Sequence, residues 1–318
     1  MTESAAGVRM QRLRPSQAPP SAFAREDPAV VVAGSGLARG IVWTVALVAV
    51  GLPQIGIDLS GRVAPGWLPV GDVILVAATL AFSILWRPLR PFTRFLLVLL
   101  ALQPAVHSGL WPSALATVRF DLPGGQPSLS SEFILELALA LGLVGILLIA
   151  GVGRPQLFLG PGKSGALAVP IRGLFDRPIP WARLGPVSAA LIGAGTLAFL
   201  VVGVGLPAFA EVRAVLPAVL LFAAINAFNE EALFRAAPMA TLAEALSRRE
   251  ATLLGVMLFA IPHYFGVPFG PVGVAMAAVL GWWLFKCLVE TRGLLWPWII
   301  HVVQDIAIFG VLLAGAGD

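Results

Sequence analysis

The sequence predicts an all-α polytopic membrane protein, a helical bundle with about nine transmembrane helices. Of its 318 residues, 58% are hydrophobic and only 12% are charged, whereas roughly 25% of residues are charged in an ordinary soluble domain. The mean hydropathy is +0.90, and one membrane-spanning helix needs about 20 mainly apolar residues. Such segments must therefore fill most of the chain, which excludes a soluble globular enzyme.

The hydrophobic segments follow one another along most of the chain. Nine are recognisable, at roughly 40–57, 67–86, 95–118, 132–153, 186–209, 214–236, 250–268, 272–289 and 294–316. Each is long enough, or nearly so, to cross the hydrocarbon core of a bilayer as a helix. The sequence therefore predicts that all nine are membrane spans.

The remaining segments divide the chain into four parts. Residues 1–39, rich in Ala, Pro, Ser and Arg, predict a disordered cytoplasmic tail. A four-span membrane region follows at 40–153. The longest loop, 154–185, is predicted to be a cytoplasmic linker, and 186–318 form a C-terminal core with five spans.

Lysine and arginine alternate between high and low numbers in successive loops, beginning with a high number in the N-terminal tail. Basic residues collect in cytoplasmic loops, so the N-terminus is predicted to be cytoplasmic and the C-terminus to be outside. The same rule explains the net charge of +4 without a nucleic-acid partner. We expect an integral multi-pass protein of a bacterial plasma membrane, in contact with membrane lipid. The single cysteine, Cys287, permits no internal disulfide.

Several polar residues have simple structural interpretations. His107 has no acidic neighbour in sequence and is expected to be structural or interfacial. Glu132 and Glu136 lie at the start of the fourth span, where a carboxylate is favourable near a helix N-terminus. Asp58 and Asp72 are assigned to the first outer loop.

The sixth predicted span contains an unusual polar group, made of Asn226, Asn229, Glu230, Glu231 and Arg235. Charged side chains inside a membrane span are costly and mark functional sites. Glu231 and Arg235 are four residues apart and share a helix face, so they are expected to pair. Glu230 aligns with Asn226 and remains free to face a cavity.

Two later spans carry histidines. Phe259 and His263 are four residues apart in the seventh span, where Pro262 kinks or ends the helix. His301 and Asp305 have the same spacing in the ninth span. A carboxylate four residues from a histidine lies on the same face, so Asp305 is expected to orient His301, or both are expected to bind a metal or a reaction intermediate.

We expect these ionisable groups to share one water-filled cavity, because clustering lowers the desolvation cost for each. Glu230 and His301 lie about 10 Å from the predicted cytoplasmic helix ends, and His263 lies about 20 Å from them, at about 1.5 Å per residue. A later start of the seventh helix, or a bend at Pro262, would reduce this mismatch. Such a site has what peptide hydrolysis needs: a base for water and donors for an oxyanion.

Taken together, Glu230-Glu231-x-x-x-Arg235, Phe259-x-x-x-His263 and His301-x-x-x-Asp305 resemble the signature of the CAAX protease and bacteriocin-processing family of intramembrane endopeptidases, also called CPBP or Abi. The resemblance covers about 210–316. It implies a helical bundle with a cavity reached from the cytoplasm, and a hydrolase that cleaves membrane-anchored proteins or peptides.

The resemblance also implies roles for the residues. Glu230 would activate water, His263 would assist it or bind a metal, and His301 with Asp305 would stabilise the oxyanion or complete the site. Whether a divalent metal such as zinc, bound by His263 and His301, takes part is left open by the motifs. An ionised Asp305 donates no hydrogen bond, so we expect it to orient His301.

Two other functions are compatible with the same residues. A non-proteolytic membrane module, such as a bacteriocin-immunity or scaffold protein, would keep the fold without cleavage. A proton-coupled transporter would use a chain of Glu, His and Asp side chains as a proton relay. The absence of an inverted repeat in the sequence counts against the transporter. Cleavage of a membrane-anchored peptide would distinguish the endopeptidase from both alternatives.

Overall fold

The computed structural model describes residues 36–107, 110, 119–122, 126–205, 207–266 and 268–314, and they are mainly helical. The α-helices are α1 (Gly36–Ala49), α2 (Leu52–Leu59), α3 (Leu68–Leu85), α4 (Thr93–Val106), α5 (Ser131–Ile149), α6 (Trp181–Val204), α7 (Phe209–Glu230), α8 (Ala237–Leu242), α9 (Arg248–Ala260), α10 (Pro271–Thr291) and α11 (Leu295–Ala314). Shorter elements are the 3-10 helices Arg87–Phe92 and Ile261–Phe265, the π-helix Glu231–Ala236, and the antiparallel strand pairs β1 (Arg119–Leu122) with β2 (Gln126–Ser130) and β3 (Leu167–Ala168) with β4 (Ile179–Pro180).

The predicted all-α membrane fold is confirmed, with a somewhat smaller number of long helices than nine. In the described part of the chain, seven helices are long and apolar enough to cross a membrane, and the bent pair α1 and α2 would make eight. The bend of 56° lies at Gly51, whose φ of 98° is favourable for glycine. The predicted segment 250–268 is a 13-residue helix, α9, that continues as a 3-10 helix.

The predicted linker, 154–185, is folded against the end of α10. A Cβ atom on Gly162 would lie 2.7 Å from the carbonyl oxygen of Thr291 and 2.8 Å from the backbone of Gly293, so this approach requires a residue without a side chain. The Trp181 indole Nε1–H donates to Glu290 Oε2 at 2.8 Å. The linker and the turn between α10 and α11 therefore lie at the same end of the bundle.

The N-terminal and C-terminal spans share their hydrophobic core. One buried cluster contains Phe95 of α4 together with Leu254 of α9 and Phe285 of α10. A second contains Leu102 of α4 and Leu284 of α10. Because α4 belongs to both clusters, the four-span region packs as part of the same body as the C-terminal spans. Of the predicted tail, 36–39 belong to α1 and the rest lies outside the described residues.

The assignment of Asp58 and Asp72 to the first outer loop is wrong, because both lie within helices, Asp58 in α2 and Asp72 in α3. Asp72 lies within α3, where it is buried, and His107 Nε2 is 3.3 Å from its Oδ2 atom. Gln54 of α2 donates to the same oxygen through Nε2 at 2.7 Å. The three residues come from different helices, so the spacing within one helix gave no sign of the pairing.

Candidate active site

The helix that carries the two adjacent glutamates changes its winding at this point. The α-helix ends at Glu230, and Glu231–Ala236 form a π-helix before α8 begins. Pro238 has no N–H to donate to the carbonyl of Phe234, which weakens regular α-helical bonding here. Isolated π-helical turns are rare and occur frequently at functional sites.

The helical run also continues to Leu242, beyond the predicted end at 236. Glu230 therefore lies about 18 Å from this end at about 1.5 Å per residue. That depth is close to the depth predicted for His263. The predicted difference of about 10 Å between Glu230 and His263 is therefore smaller when it is measured along the observed helices.

Glu231 lies between a cation and a histidine. Its Oε1 atom accepts a hydrogen bond from Arg235 Nη1 at 2.6 Å and is 2.7 Å from His301 Nδ1. The side chains of Glu231 and Arg235 are both 0% exposed. The predicted Glu231–Arg235 pair is thus present, and the same carboxylate also orients the imidazole of His301.

The other nitrogen of His301 faces two further carboxylates. His301 Nε2 is 3.3 Å from Glu230 Oε2 and 3.7 Å from Asp305 Oδ1. Asn226 joins these two carboxylates, because its Nδ2 atom donates to Glu230 Oε1 at 3.2 Å and to Asp305 Oδ2 at 3.1 Å. Asp305 was expected to orient His301, but its hydrogen bond comes from Asn226, and the closest carboxylate contact to His301 is made by Glu231.

The two glutamates differ in accessibility. The side chain of Glu230 is 22% exposed, whereas that of Glu231 is fully buried. A carboxylate that activates water must be reachable by water, and one that balances a buried cation need not be. Of this adjacent pair, Glu230 is the residue placed to meet a water molecule.

His263 lies in the 3-10 helix and is connected to this group through an aromatic ring. Its Nδ1 atom is 2.7 Å from the carbonyl oxygen of Phe259, so an Nδ1–H group donates to the backbone there. The Phe259 ring lies 4.4 Å from the His263 ring and 6.2 Å from the His301 ring, and the Arg235 guanidinium lies 3.9 Å above it. Phe259 therefore forms an apolar wall that is shared by His263, His301 and Arg235.

The residues do not fit a metal centre. In the described part of the chain, no group of three or more His, Cys, Asp or Glu side chains is arranged to hold a metal ion. Glu231 is bonded by Arg235 and His301, and the Nδ1 atom of His263 faces a backbone carbonyl.

Residues 212–307 match a family model described as "Type II CAAX prenyl endopeptidase Rce1-like". These residues form an Rce1-like domain. The match is consistent with the CPBP family, and the resemblance seen in the three motifs is confirmed. No curated protein and no solved structure matches the chain at a significant level.

The Rce1-like domain contains every predicted site residue, namely Glu230, Glu231, Arg235, His263, His301 and Asp305. Together with the long apolar helices, the match supports a multi-pass intramembrane protease with membrane and protein substrates. The role of each residue stays a prediction, and so does the substrate.

One helix outside the Rce1-like domain also reaches the site. Asn229 Nδ2 donates to the carbonyl oxygen of Phe133 in α5 at 3.2 Å. Glu136 lies one turn further along α5, and Glu230 directly follows Asn229 in α7. Glu136 was expected at the membrane interface because it lies near a helix start. Its place on the helix that contacts Asn229 depends on how α5 packs against α7, and no local pattern predicts that.

Proposed function

We propose that the protein is an intramembrane endopeptidase that hydrolyses peptide bonds of membrane-associated proteins or peptides, with Glu230 as the base that activates water. One observation carries the proposal: an accessible carboxylate, Glu230, lies 3.3 Å from an imidazole nitrogen of His301, beside a fully buried Glu231–Arg235 pair. A free base next to a positioned hydrogen-bond donor is the arrangement that peptide hydrolysis requires.

In the proposed reaction, Glu230 accepts a proton from water as the water oxygen forms a bond to the peptide carbonyl carbon. When the C–N bond breaks, the protonated Glu230 transfers this proton to the leaving nitrogen. Asn226 holds Glu230 by its Oε1 atom, which leaves Oε2 on the side of His301 to receive the proton. The products are one carboxylic acid and one amine, so atoms and charges balance.

His301 supplies the donor for the oxyanion. Glu231 accepts from Nδ1–H of His301, and in the proposed reaction His301 is the imidazolium, whose Nε2–H then faces Glu230 and the reacting carbonyl. His263 uses its Nδ1–H on the Phe259 carbonyl, so its other nitrogen, Nε2, assists as an acceptor for a hydrogen bond from the attacking water. Arg235 acts indirectly, by balancing the buried charge of Glu231.

The surroundings of α11 fit a substrate that is held in the membrane. An apolar groove of about 760 Å³ lies between α6, α10 and α11, and Gln304 of α11, the neighbour of Asp305, is part of its wall. Its other walls include Gly195 of α6 and Trp283 of α10. We assign this groove to the apolar anchor of the substrate, since an anchor bound there would deliver the adjoining peptide to α11.

The proposal is tested with purified protein in liposomes that contain a membrane-anchored peptide with a fluorophore and a quencher. We expect the wild-type protein to release a product whose mass identifies one hydrolysed peptide bond. The Glu230→Gln variant, with the same amount of folded protein, should release none. If folded wild-type protein cleaves no anchored peptide from a diverse library, the non-proteolytic module or the transporter replaces the endopeptidase.

A further inference from the structure

We propose that α2, in the four-span region outside the Rce1-like domain, positions His263 through a hydrogen bond between Asp58 and Tyr264. This inference rests on the proposed function, because it concerns a histidine of the proposed site. It assigns a part in the reaction to a segment far from the three motifs, and to a residue, Asp58, that was expected to lie in an ordinary outer loop.

The direct evidence is one long-range contact. The Tyr264 hydroxyl donates to Asp58 Oδ2 at 2.7 Å. Asp58 is the second-last residue of α2, and Tyr264 directly follows His263 in the 3-10 helix. A hydrogen bond from a neutral donor to a carboxylate is stronger than a hydrogen bond between two neutral groups. This contact therefore ties the turn that carries His263 to a separate helix.

Gly51, the residue directly before α2, approaches the same turn. A Cβ atom on Gly51 would lie 3.8 Å from the Phe265 ring, so the backbone at the bend between α1 and α2 passes close to the residue after Tyr264. The Tyr264 ring packs at 5.1 Å from Phe265 and at 5.1 Å from Phe269. The start and the end of α2 thus both approach the 3-10 helix.

The helix α2 is itself attached to α3. Gln54 donates to the buried Asp72 of α3 at 2.7 Å, and His107 lies 3.3 Å from the same Asp72 oxygen. Because Asp72 is 3% exposed, this attachment is shielded from water. A fixed α2 can hold Tyr264 in place, whereas a mobile one could not.

The 3-10 helix needs such a support because its backbone has few regular bonds. A 3-10 helix has poorer hydrogen-bond geometry than an α-helix, and this one lasts only five residues, Ile261–Phe265. The start of α10 also approaches closely, since a Cβ atom on Gly273 would lie 2.5 Å from the His263 carbonyl oxygen. The turn that carries His263 is therefore contacted by both α10 and α2.

The test compares wild type with Tyr264→Phe, Asp58→Asn and the double variant, in the liposome cleavage assay. Both changes keep the shape and remove the hydroxyl or the charge. We expect each to lower kcat per folded molecule by about tenfold with KM little changed. The double variant should be no slower than either single variant, because both single changes disrupt the same hydrogen bond. Ser60→Ala is the matched control, since Ser60 bonds only locally to Ile57, and it should leave kcat unchanged.

A role through His263 gives a further expectation. In a His263→Gln background that retains trace cleavage, adding Tyr264→Phe should not slow the reaction further. With His263 present, Asp58→Glu should keep part of the activity that Asp58→Asn loses. Thermal unfolding in detergent corrects all rates for the folded fraction. Independent losses in the double variant, or an undiminished effect of Tyr264→Phe without His263, would overturn the positioning role.

A second measurement does not depend on cleavage. Diethyl pyrocarbonate modifies accessible imidazoles, and mass spectrometry of peptides resolves His263 from His107 and His301. We expect Tyr264→Phe and Asp58→Asn to accelerate modification of His263 and Ser60→Ala to leave it unchanged. Inactive wild-type protein with accelerated His263 modification in the variants would refute the endopeptidase and keep the positioning contact. Active wild-type protein with unchanged modification and unchanged kcat in the variants would refute the contact alone.

Discussion

At the scale of single residues, two neighbouring glutamates have opposite surroundings. Glu230 is partly exposed and bonded by the neutral amide of Asn226, whereas Glu231 is buried between Arg235 and His301. Adjacent positions on a helix point about 100° apart, so the two side chains face different surroundings. Identical side chains can therefore have different tasks, one in proton transfer and one in holding charge and geometry.

Replacing Glu230 by Gln should abolish catalysis and spare the fold. The amide keeps the size of the side chain but accepts no proton from water. We expect the cleavage rate to fall by at least about 10²-fold, with thermal unfolding close to that of wild type. An active Glu230→Gln protein would show that another group is the base.

Replacing Glu231 by Gln should mainly destabilise the protein. The change leaves Arg235 without its counter-ion in a fully buried position and weakens the bond to His301, and breaking a buried pair costs about 3–5 kcal/mol. Thermal unfolding in detergent measures the loss. The matched control is Glu244→Gln, which breaks the exposed Arg94–Glu244 pair and should cost at most about 1 kcal/mol.

Equal stability of Glu231→Gln and Glu244→Gln would contradict the role of Glu231 as the buried counter-charge. Equal loss of folded protein in Glu230→Gln and Glu231→Gln would contradict the division of tasks between them. The adjacent substitutions thus test each other, because they make the same chemical change at positions that differ in burial and partners.

Metal removal should leave cleavage intact. Glu231 is bonded to Arg235 and His301, and His263 Nδ1 faces the Phe259 carbonyl. Among the described residues, too few ligand atoms therefore remain together to hold a metal ion. We expect purified protein to contain no stoichiometric transition metal and strong chelators to leave the rate unchanged. A bound metal whose removal and return switch cleavage off and on would replace this mechanism with a metal-dependent one.

At the scale of helices, the sequence predicts contacts within one element better than contacts between elements. Glu231 and Arg235 were expected to pair because residues four apart share a helix face, and the pair is present. The hydrophobic pattern likewise identified the long helices. The π-helix was not predicted, because hydropathy does not register one extra residue in a turn.

Contacts between helices depend on packing that periodicity does not encode. The Asp72–His107 pair, the Asp58–Tyr264 bond and the bond from Asn229 to the Phe133 carbonyl each join separate elements. What the sequence does offer is the cost of burying a polar group, which marks a residue as needing a partner without naming it. That reasoning identifies the six site residues, whereas Asp58 was assigned to a loop and Glu136 to a helix start, two places where a carboxylate needs no buried partner.

The groove between α6 and α10 gives a prediction at this scale. A Cβ atom on Gly195 meets no atom within 4 Å, so Gly195→Leu would fill part of the groove without a clash. We expect cleavage of a membrane-anchored peptide to fall about tenfold, while cleavage of a short soluble peptide stays unchanged. Gly142→Leu in α5 is the control, because it also meets open space but lies outside the groove. Equal loss for both peptides would contradict anchor binding.

At the scale of the whole molecule, the number of crossings decides where the ends of the chain lie. The seven long helices and the bent pair do not include α9. However, 13 residues of α-helix and five of 3-10 helix rise about 30 Å together, at about 1.5 and 2.0 Å per residue. That length matches the hydrocarbon core of a bilayer, about 30 Å. We therefore expect α9 and its 3-10 continuation to cross the membrane together.

Whether α9 crosses the membrane determines on which side the C-terminus lies. Leu294 N donates to the Gly160 carbonyl, and Lys163 N donates to that of Thr291, so the linker and the α10–α11 turn lie on one side. The loop charges predict that this side is cytoplasmic, and we then expect α11 to carry the C-terminus outside. Reporter fusions after Arg172 and after Asp318 should report opposite compartments, the cytoplasm for the first. A cytoplasmic C-terminus would mean that one of the proposed crossings does not occur, and the depths of His263 and His301 would have to be reassigned.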